Sequence, residues 1–143
     1  MMRRIKFGPS DLMVSPIGLG CMSMSGCYGE QVDKVCVATI HEAMEQLTDA
    51  DVSVNNLQIR WLVPLHTEAI ESILSKCPKV IIVENNYSGQ FARYLRSETG
   101  FAAAGHIRKY DGEPFMPHHI ADGVKAILAG STKLYVPVHE IQV

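Results

Sequence analysis

Two clusters of side chains combine residue types that could bind a ligand or a neighbouring subunit. The first follows an apolar run and comprises Glu84, Asn85, Asn86, Tyr87, Ser88 and Gly89. The second comprises Lys109, Tyr110 and Asp111 and is followed by a glycine. Carboxylates and amides form directional hydrogen bonds, and a tyrosine ring can stack on a planar group. We predict that both clusters contact a ligand or a subunit.

The sequence leaves two explanations open for each cluster: contact with a ligand or subunit, and a purely structural role. The first cluster precedes a helical segment, whose N-terminus favours an anion. It also follows a strand, and open α/β sheets bind ligands beyond the carboxyl ends of their strands. However, Asn86 or Ser88 could simply cap that helix. Residues 109–112 could form no more than a tight turn.

The cysteines and histidines do not predict a metal centre. No two cysteines have the two-residue gap of a zinc site or a redox dithiol, and their spacing suits no iron–sulfur cluster: Cys21, Cys27, Cys36 and Cys77. His118 and His119 are adjacent, but neighbours on a helix diverge by about 100°. We expect these two histidines to be exposed at the start of a helix.

Strands and helices alternate along the predicted chain. A hairpin is predicted at 3–14, and strands at 17–22, 52–59, 79–84, 104–109 and 133–138, the last confined to a sheet edge by Pro137. Apolar residues at helical spacing predict helices at 31–48, 67–76, 90–97 and 117–128. Thr67 is the predicted cap of the second helix. This order predicts an α/β three-layer sandwich with a mostly parallel sheet of about four strands.

Composition limits the range of functions. Hydrophobic residues make up 47% of the 143 residues, charged residues make up 20%, and the formal net charge is -2. These values indicate a globular domain without the basic footprint of a nucleic-acid-binding protein. No apolar run reaches the ~18 residues that span a bilayer. The N-terminal residues lack the continuous apolar stretch of a signal peptide, so we expect a cytoplasmic protein with no membrane partner.

Three blocks in the second half resemble one enzyme family. They are residues 54–65 (VNNLQIRWLVPL), 80–93 (VIIVENNYSGQFAR) and 109–115 (KYDGEPF). They resemble the C-terminal domain of a 2-oxoacid:ferredoxin oxidoreductase alpha subunit, which implies a fold like the transketolase C-terminal domain. That family uses thiamine diphosphate, coenzyme A and iron–sulfur clusters. The resemblance places their sites outside this domain, so we expect no cofactor here and a beta subunit, or a second copy, as partner.

The first 45 residues resemble a different family. Residues 7–26 (FGPSDLMVSPIGLGCMSMSG), 28–30 (YGE) and 39–43 (TIHEA) resemble the N-terminus of an aldo-keto reductase. That family reduces carbonyls with NADPH, but the segment that carries its catalytic aspartate and tyrosine has no match here. Tyr28 matches a non-catalytic position. The resemblance implies only that Gly20, Cys21 and Met22 are a vestige of the nicotinamide pocket.

The two resemblances together predict a chimera. The join falls near residue 45, inside a helix that would suit either family. We predict a hairpin appendage at 1–14, a single α/β domain at 15–130 that the foreign strand and helix complete, and a tail at 131–143. Three functional hypotheses follow: a non-catalytic domain or fragment that contacts other subunits, a vestigial NADPH binder, and a rearranged reading frame without selected function.

Overall fold

The structure is a computed structural model that describes residues 5–6, 13–14, 33–59 and 61–138, with side chains from Val37 onward. Its elements, in chain order, are β1 (Ile5–Lys6), β2 (Met13–Val14), α1 (Asp33–Thr48), α2 (Thr67–Leu74), β3 (Ile81–Glu84), α3 (Gln90–Thr99), β4 (Gly105–Arg108), α4 (Pro117–Leu128) and β5 (Leu134–Tyr135). The four predicted helices and the predicted hairpin are confirmed. In the hairpin, Ile5 pairs with Val14 in an antiparallel register.

The main sheet is parallel and has the order β3-β4-β5. Ile81 of β3 is in register with Gly105 of β4, and His106 of β4 with Leu134 of β5. The run from Val80 to Val83 provides the continuous apolar strand that a parallel sheet covered on both faces requires. The predicted α/β fold is confirmed, with three parallel strands among the described residues.

The strand predicted at residues 52–59 is not formed. Residues 52–59 form no ladder, and only an isolated bridge occurs, at Gln58. Val52 and Val54 still pack against the core, so the apolar alternation reflects burial without strand pairing. A strand depends on a hydrogen-bonded neighbour, which alternation in the sequence does not guarantee. The other predicted strand, 17–22, lies outside the described residues.

Helices cover both faces of the sheet. On one face, Val83 and Ile107 join a core cluster with residues of α1 and α4. On the other face, Val80 and Ile82 pack with residues of α2 and α3. Successive side chains of β3 therefore enter opposite layers, as the pleat of a strand demands. The domain is therefore a three-layer sandwich, and each cluster fills the interface between the sheet and one layer of helices.

The ends of the helices match the sequence signals with one exception. Gly100 ends α3 with φ of 72°, and Gly130 follows α4 with φ of 77°, so both adopt the left-handed conformation that favours glycine. Thr67 was expected to cap α2, and this was wrong. The helix begins at Thr67 itself, and His66 occupies the cap position without a side-chain hydrogen bond.

The edge strand β5 lies where Pro137 predicted it. Lys133 O accepts from His106 N at 2.9 Å, so the peptide groups of Leu134 point away from β4. The Thr132 hydroxyl donates to Leu134 O at 2.6 Å and accepts from Leu134 N at 3.1 Å. This side chain closes the outer edge of the sheet at that residue and opposes pairing with another strand.

Candidate ligand- and subunit-contact site

The structure brings the two predicted clusters together at the carboxyl edge of the sheet. Glu84 and Arg108, the last residues of β3 and β4, are in register. Lys109 N donates to Glu84 O at 3.2 Å. Beyond the strands, the rings of Tyr87 and Tyr110 meet edge to face, with centroids 5.1 Å apart. Parallel strands put both loops on one edge, which the alternation of elements alone already implied.

Glu84 is buried, with 3% of its surface exposed. Its Oε2 accepts from Phe91 N at 2.7 Å and from the Asn86 amide at 2.9 Å, and its Oε1 accepts from Ala92 N at 3.1 Å. A carboxylate so placed neutralises the positive end of the helix dipole and satisfies amides that have no partner within the helix. Glu84 is therefore the anion that caps α3.

Asn86 completes this cap. Its Oδ1 accepts from Gly89 N at 2.7 Å and from Gln90 N at 3.1 Å. Gly89 adopts the left-handed conformation, with φ of 66°. With the two bonds to Glu84, the amides of residues 89–92 all have side-chain acceptors. The predicted capping by Asn86 is confirmed, and the attraction of the α3 N-terminus for an anion is satisfied from within the chain.

Lys109 has a different internal partner. Only 3% of its side chain is exposed, and its ammonium group pairs with both carboxylate oxygens of Asp111. Asp111 Oδ1 also accepts from Glu113 N at 3.1 Å, and Gly112 has φ of 90°. Residues 109–113 thus form a tight turn that neutralises its own buried charge. Neither Glu84 nor Lys109 offers an uncompensated charge to a ligand.

Exposed apolar side chains remain at this edge. Tyr87 is 73% exposed, Tyr110 50%, and Met116, just before α4, 49%. Trp61 is 65% exposed, and the residue after it contacts α3, because Leu62 O accepts from the Tyr94 hydroxyl at 3.0 Å. We call these four residues the aromatic rim: Trp61, Tyr87, Tyr110 and Met116. Trp61 and Met116 were not predicted as contact residues, since apolar loop residues give no sequence signal of their exposure.

Two polar residues of β4, Arg108 and His106, lie below the rim and were not predicted from the sequence. Arg108 Nη1 donates to Tyr87 O at 3.3 Å, so it holds the loop that carries this tyrosine. His106 lies two residues earlier, on the same side of the strand. Burial lowers the pKa of His106, Arg108 lowers it further, and Glu84 partly offsets both. Both residues belong to a predicted strand, and the sequence gives no indication that polar side chains within a strand have more than a packing role.

The histidine pair at the start of α4 is not exposed as predicted. His119 is buried, with 7% of its surface exposed, and its Nδ1 accepts from Met116 N at 3.1 Å. His118 is half-buried, and its ring centroid lies 4.3 Å from that of His119. The imidazole of His119 folds back over the first turn and caps it. The prediction was wrong because the sequence pattern of a helix does not reveal which imidazole turns back onto the first turn.

The described ranges 33–59 and 61–138 contain no group of three metal-ligating side chains. Cys77 is half-buried, its thiol donates to Ile73 O at 3.4 Å, and burial raises its pKa. No helix in these ranges is long and apolar enough to cross a membrane. The predicted vestigial cofactor contacts Gly20, Cys21 and Met22 lie outside the described residues.

A cavity of about 360 Å³ runs along β3. Its walls are mostly apolar and come from α1, α4, β3 and residues 53–56: Ile40, Ala43, Met44, Leu47, Val54, Ile81, Val83, Ile120, Val124 and Leu128. Ser53, Asn55, Asn56 and Lys79 add polar groups. Asn55 Oδ1 is buried and has no hydrogen-bond partner within the described part of the chain. Nothing in the sequence predicted this cavity, because residues from four separate segments line it.

The chain is a parallel α/β domain, and comparison with known proteins identifies its relatives. No protein-family model matches it. It is 31% identical over 108 residues to the 2-oxoacid:ferredoxin oxidoreductase subunit alpha of Saccharolobus solfataricus, a match that covers 71% of this chain and 17% of the relative. It is 36% identical over 100 residues to the subunit alpha of 2-oxoacid:ferredoxin oxidoreductase 2 of Aeropyrum pernix, covering 70% and 16%.

A solved structure agrees with these relatives. The 2-oxoglutarate:ferredoxin oxidoreductase of Magnetococcus marinus, with 2-oxoglutarate, coenzyme A and succinyl-CoA bound, superimposes with a TM-score of 0.59 at 25% identity. The match covers 78% of this chain and 18% of that chain. The chain is thus homologous to 2-oxoacid:ferredoxin oxidoreductase alpha subunits, which confirms that resemblance. It spans 17% or less of the length of the curated relatives, and the aldo-keto reductase resemblance stays a prediction.

Proposed function

We propose that this chain is a non-catalytic α/β domain that serves as a subunit-contact module, and that its partner is a beta subunit of a 2-oxoacid:ferredoxin oxidoreductase. The observation that carries the proposal is the contrast at the carboxyl edge. There Glu84 and Lys109 are compensated inside the chain, whereas the aromatic rim is exposed. Trp, Tyr and Met are enriched at protein interfaces, and Trp and Tyr supply many of the residues that dominate binding energy.

The outer edge of β5 favours a different subunit over a second copy. Copies of an α/β domain can associate by extending their sheets across an exposed edge strand. Thr132 occupies the outward peptide groups of Leu134, which removes the hydrogen bonds that such pairing needs. The rim lies at the ends of the strands, so it remains available to a partner that packs against loops. In this proposal thiamine diphosphate, coenzyme A and the iron–sulfur clusters are held by other parts of the assembly.

Co-expression with a tagged beta subunit tests the proposal. We expect the chain to co-purify with that subunit, and the double variant Tyr87→Ser/Tyr110→Ser to lower the affinity at least tenfold. Val37→Ser is the matched control, because Val37 is an exposed apolar residue on α1. Circular dichroism melts should show both variants folded. Equal binding by the double variant, or a homodimer that the double variant dissociates, would count against a beta-subunit contact at the rim.

The predicted vestigial NADPH site is a second candidate that rests on the aldo-keto reductase resemblance of the first 45 residues. Its contacts would be Gly20, Cys21 and Met22. A fluorescence titration with NADPH tests it, and the absence of binding at millimolar NADPH would remove it. Failure of both NADPH binding and beta-subunit binding would favour the hypothesis of a rearranged reading frame.

A further inference from the structure

The layer formed by α2 and α3 covers β3 but does not extend over the other two strands. His106 of β4 is in register with Ile82 of β3 and with Leu134 of β5, and residues in register on parallel strands point to the same side of the sheet. Ile82 packs with residues of α2 and α3, and this cluster contains no residue of β4 or β5. Within the described residues, β4 and β5 therefore have one side without a helix.

Apolar side chains are exposed on this side. Leu134 is 45% exposed and Val136 is 39% exposed. Tyr135, which lies between them, packs against the core on the opposite side of the sheet, so Leu134 and Val136 point away from α4. We call the surface formed by His106, Arg108, Leu134 and Val136 the open face.

Arg108 brings a positive charge to the open face that no described carboxylate neutralises. Its side chain is half-buried, its one hydrogen bond is to Tyr87 O, and it forms no ion pair within the described residues. Glu84, in register with it on β3, uses its carboxylate oxygens to cap α3. A guanidinium group has five donors, and their planar arrangement fits a carboxylate. A partner that covers the open face must therefore provide an acceptor, and a carboxylate also balances the charge.

The open face adjoins the aromatic rim, because Arg108 holds the loop that carries Tyr87. At the exposed fractions of its four side chains, the aromatic rim presents roughly 350–600 Å², taking about 150–250 Å² for each whole side chain. A specific interface buries about 800 Å² on each partner. A partner bound at the rim therefore needs further contact area, and the open face is an apolar surface next to it.

We propose that the beta subunit that contacts the aromatic rim also covers the open face, with a carboxylate on Arg108 and apolar side chains on Leu134 and Val136. This inference rests on the proposed function, because it states what chemistry the same partner must carry. A second copy of the chain fits less well. A two-fold contact across the open face would bring two Arg108 guanidinium groups together without a carboxylate, and the juxtaposition of like charges is unfavourable.

Titration with the tagged beta subunit tests the apolar contact. Leu134→Thr/Val136→Thr removes apolar surface and keeps residue types that suit a strand. We expect this double variant to lower the affinity at least fivefold, whereas Val37→Thr, 41% exposed on α1, should not change it. An unchanged affinity would overturn the inference, and the rim contact would still stand if the tyrosine double variant weakens binding. No binding by the unmodified chain would overturn both.

Salt dependence tests the carboxylate. Raising the NaCl concentration from about 0.1 M to 1 M shortens the Debye length from roughly 10 Å to 3 Å, so the affinity of the unmodified chain should fall. Arg108→Met keeps the apolar stem and removes the charge. We expect it to bind at least fivefold more weakly in low salt and to depend less on salt, whereas Arg96→Met, an exposed change in the last turn of α3, should behave like the unmodified chain.

Two results would overturn the inference from this side. If Arg108 only positions the Tyr87 loop, Arg108→Met will lower the affinity by the same factor at both salt concentrations. If a second copy covers the open face, sedimentation of the chain alone will show a dimer that Leu134→Thr/Val136→Thr dissociates.

Discussion

Two neighbouring loops bury charges of opposite sign and compensate them in different ways. After β3, the Glu84 carboxylate accepts hydrogen bonds from two backbone amides of α3 and from the Asn86 side chain. After β4, Lys109 is neutralised by a carboxylate two residues away. The first solution ties a strand to a helix, whereas the second is confined to one turn. Two equally buried charges can therefore differ in how strongly the fold depends on them.

The largest expected effect is at Glu84. Glu84→Leu leaves the buried amides of Phe91 and Ala92 without acceptors, and each such group costs roughly 1–3 kcal/mol. We expect the free energy of unfolding to fall by about 3 kcal/mol in urea titrations. Glu98→Gln, an exposed change on the same helix, should alter it by less than about 0.5 kcal/mol. Similar values for the two variants would show that the cap contributes nothing.

Gly89→Ala tests the backbone of the same loop. A left-handed conformation costs a non-glycine residue about 1–2 kcal/mol, and a Cβ would lie 2.7 Å from the Arg108 guanidinium carbon. We expect the free energy of unfolding of Gly89→Ala to be lower by about 2 kcal/mol. Gly100→Ala is the matched control, because Gly100 has a similar φ of 72° but nothing within 4 Å of a Cβ. The difference between the two melts measures the contact with Arg108, and a larger loss for Gly100→Ala would contradict this packing.

Lys109→Met should cost less than Glu84→Leu, about 1 kcal/mol. Methionine keeps the apolar stem, and Asp111, whose side chain is 20% exposed, can turn to solvent while Glu113 N still bonds it. Partial solvation of the remaining partner limits the penalty of a broken pair. The measurement is the same urea titration. A loss as large as that of Glu84→Leu would erase the contrast between the two loops.

The smallest expected effect is the pH dependence from His106. Its pKa in the folded chain is lowered, mainly by burial and then by Arg108, so the unfolded chain binds more protons below about pH 6.5. The contribution of His106 to the free energy of unfolding is therefore fully present above that pH, and it is lost as the pH falls below it. We expect His106→Asn to flatten the dependence of melting temperature between pH 7.5 and 5.5. His41→Asn, on the exposed side of α1, should leave the dependence of melting temperature on pH unchanged. If His106→Asn also leaves it unchanged, His106 is not its source.

Several features of the site could be predicted from the sequence because their causes are local. Asn86 caps the following helix through residues three and four positions ahead, and the turn at 109–113 follows from Asp111 and Gly112. The cap by Glu84 could not be predicted, since it depends on how the strand meets α3 seven residues later. His119 was expected on the surface because the pattern of a short helix does not reveal which imidazole folds back over the first turn.

The order of helices, the parallel sheet and the homology with the oxidoreductase alpha subunits could all be predicted from the sequence. These follow from apolar periodicity, turn residues and the three sequence blocks that resemble that family, each of which is a short segment of the chain. Three features became apparent only in the folded chain: residues 52–59 form no ladder, the charges of Glu84 and Lys109 are compensated internally, and a cavity lies beside β3. Each of these features depends on contacts between residues that are distant in the sequence. Strand pairing, the environment of a buried charge and the walls of a cavity are therefore set only when the chain folds.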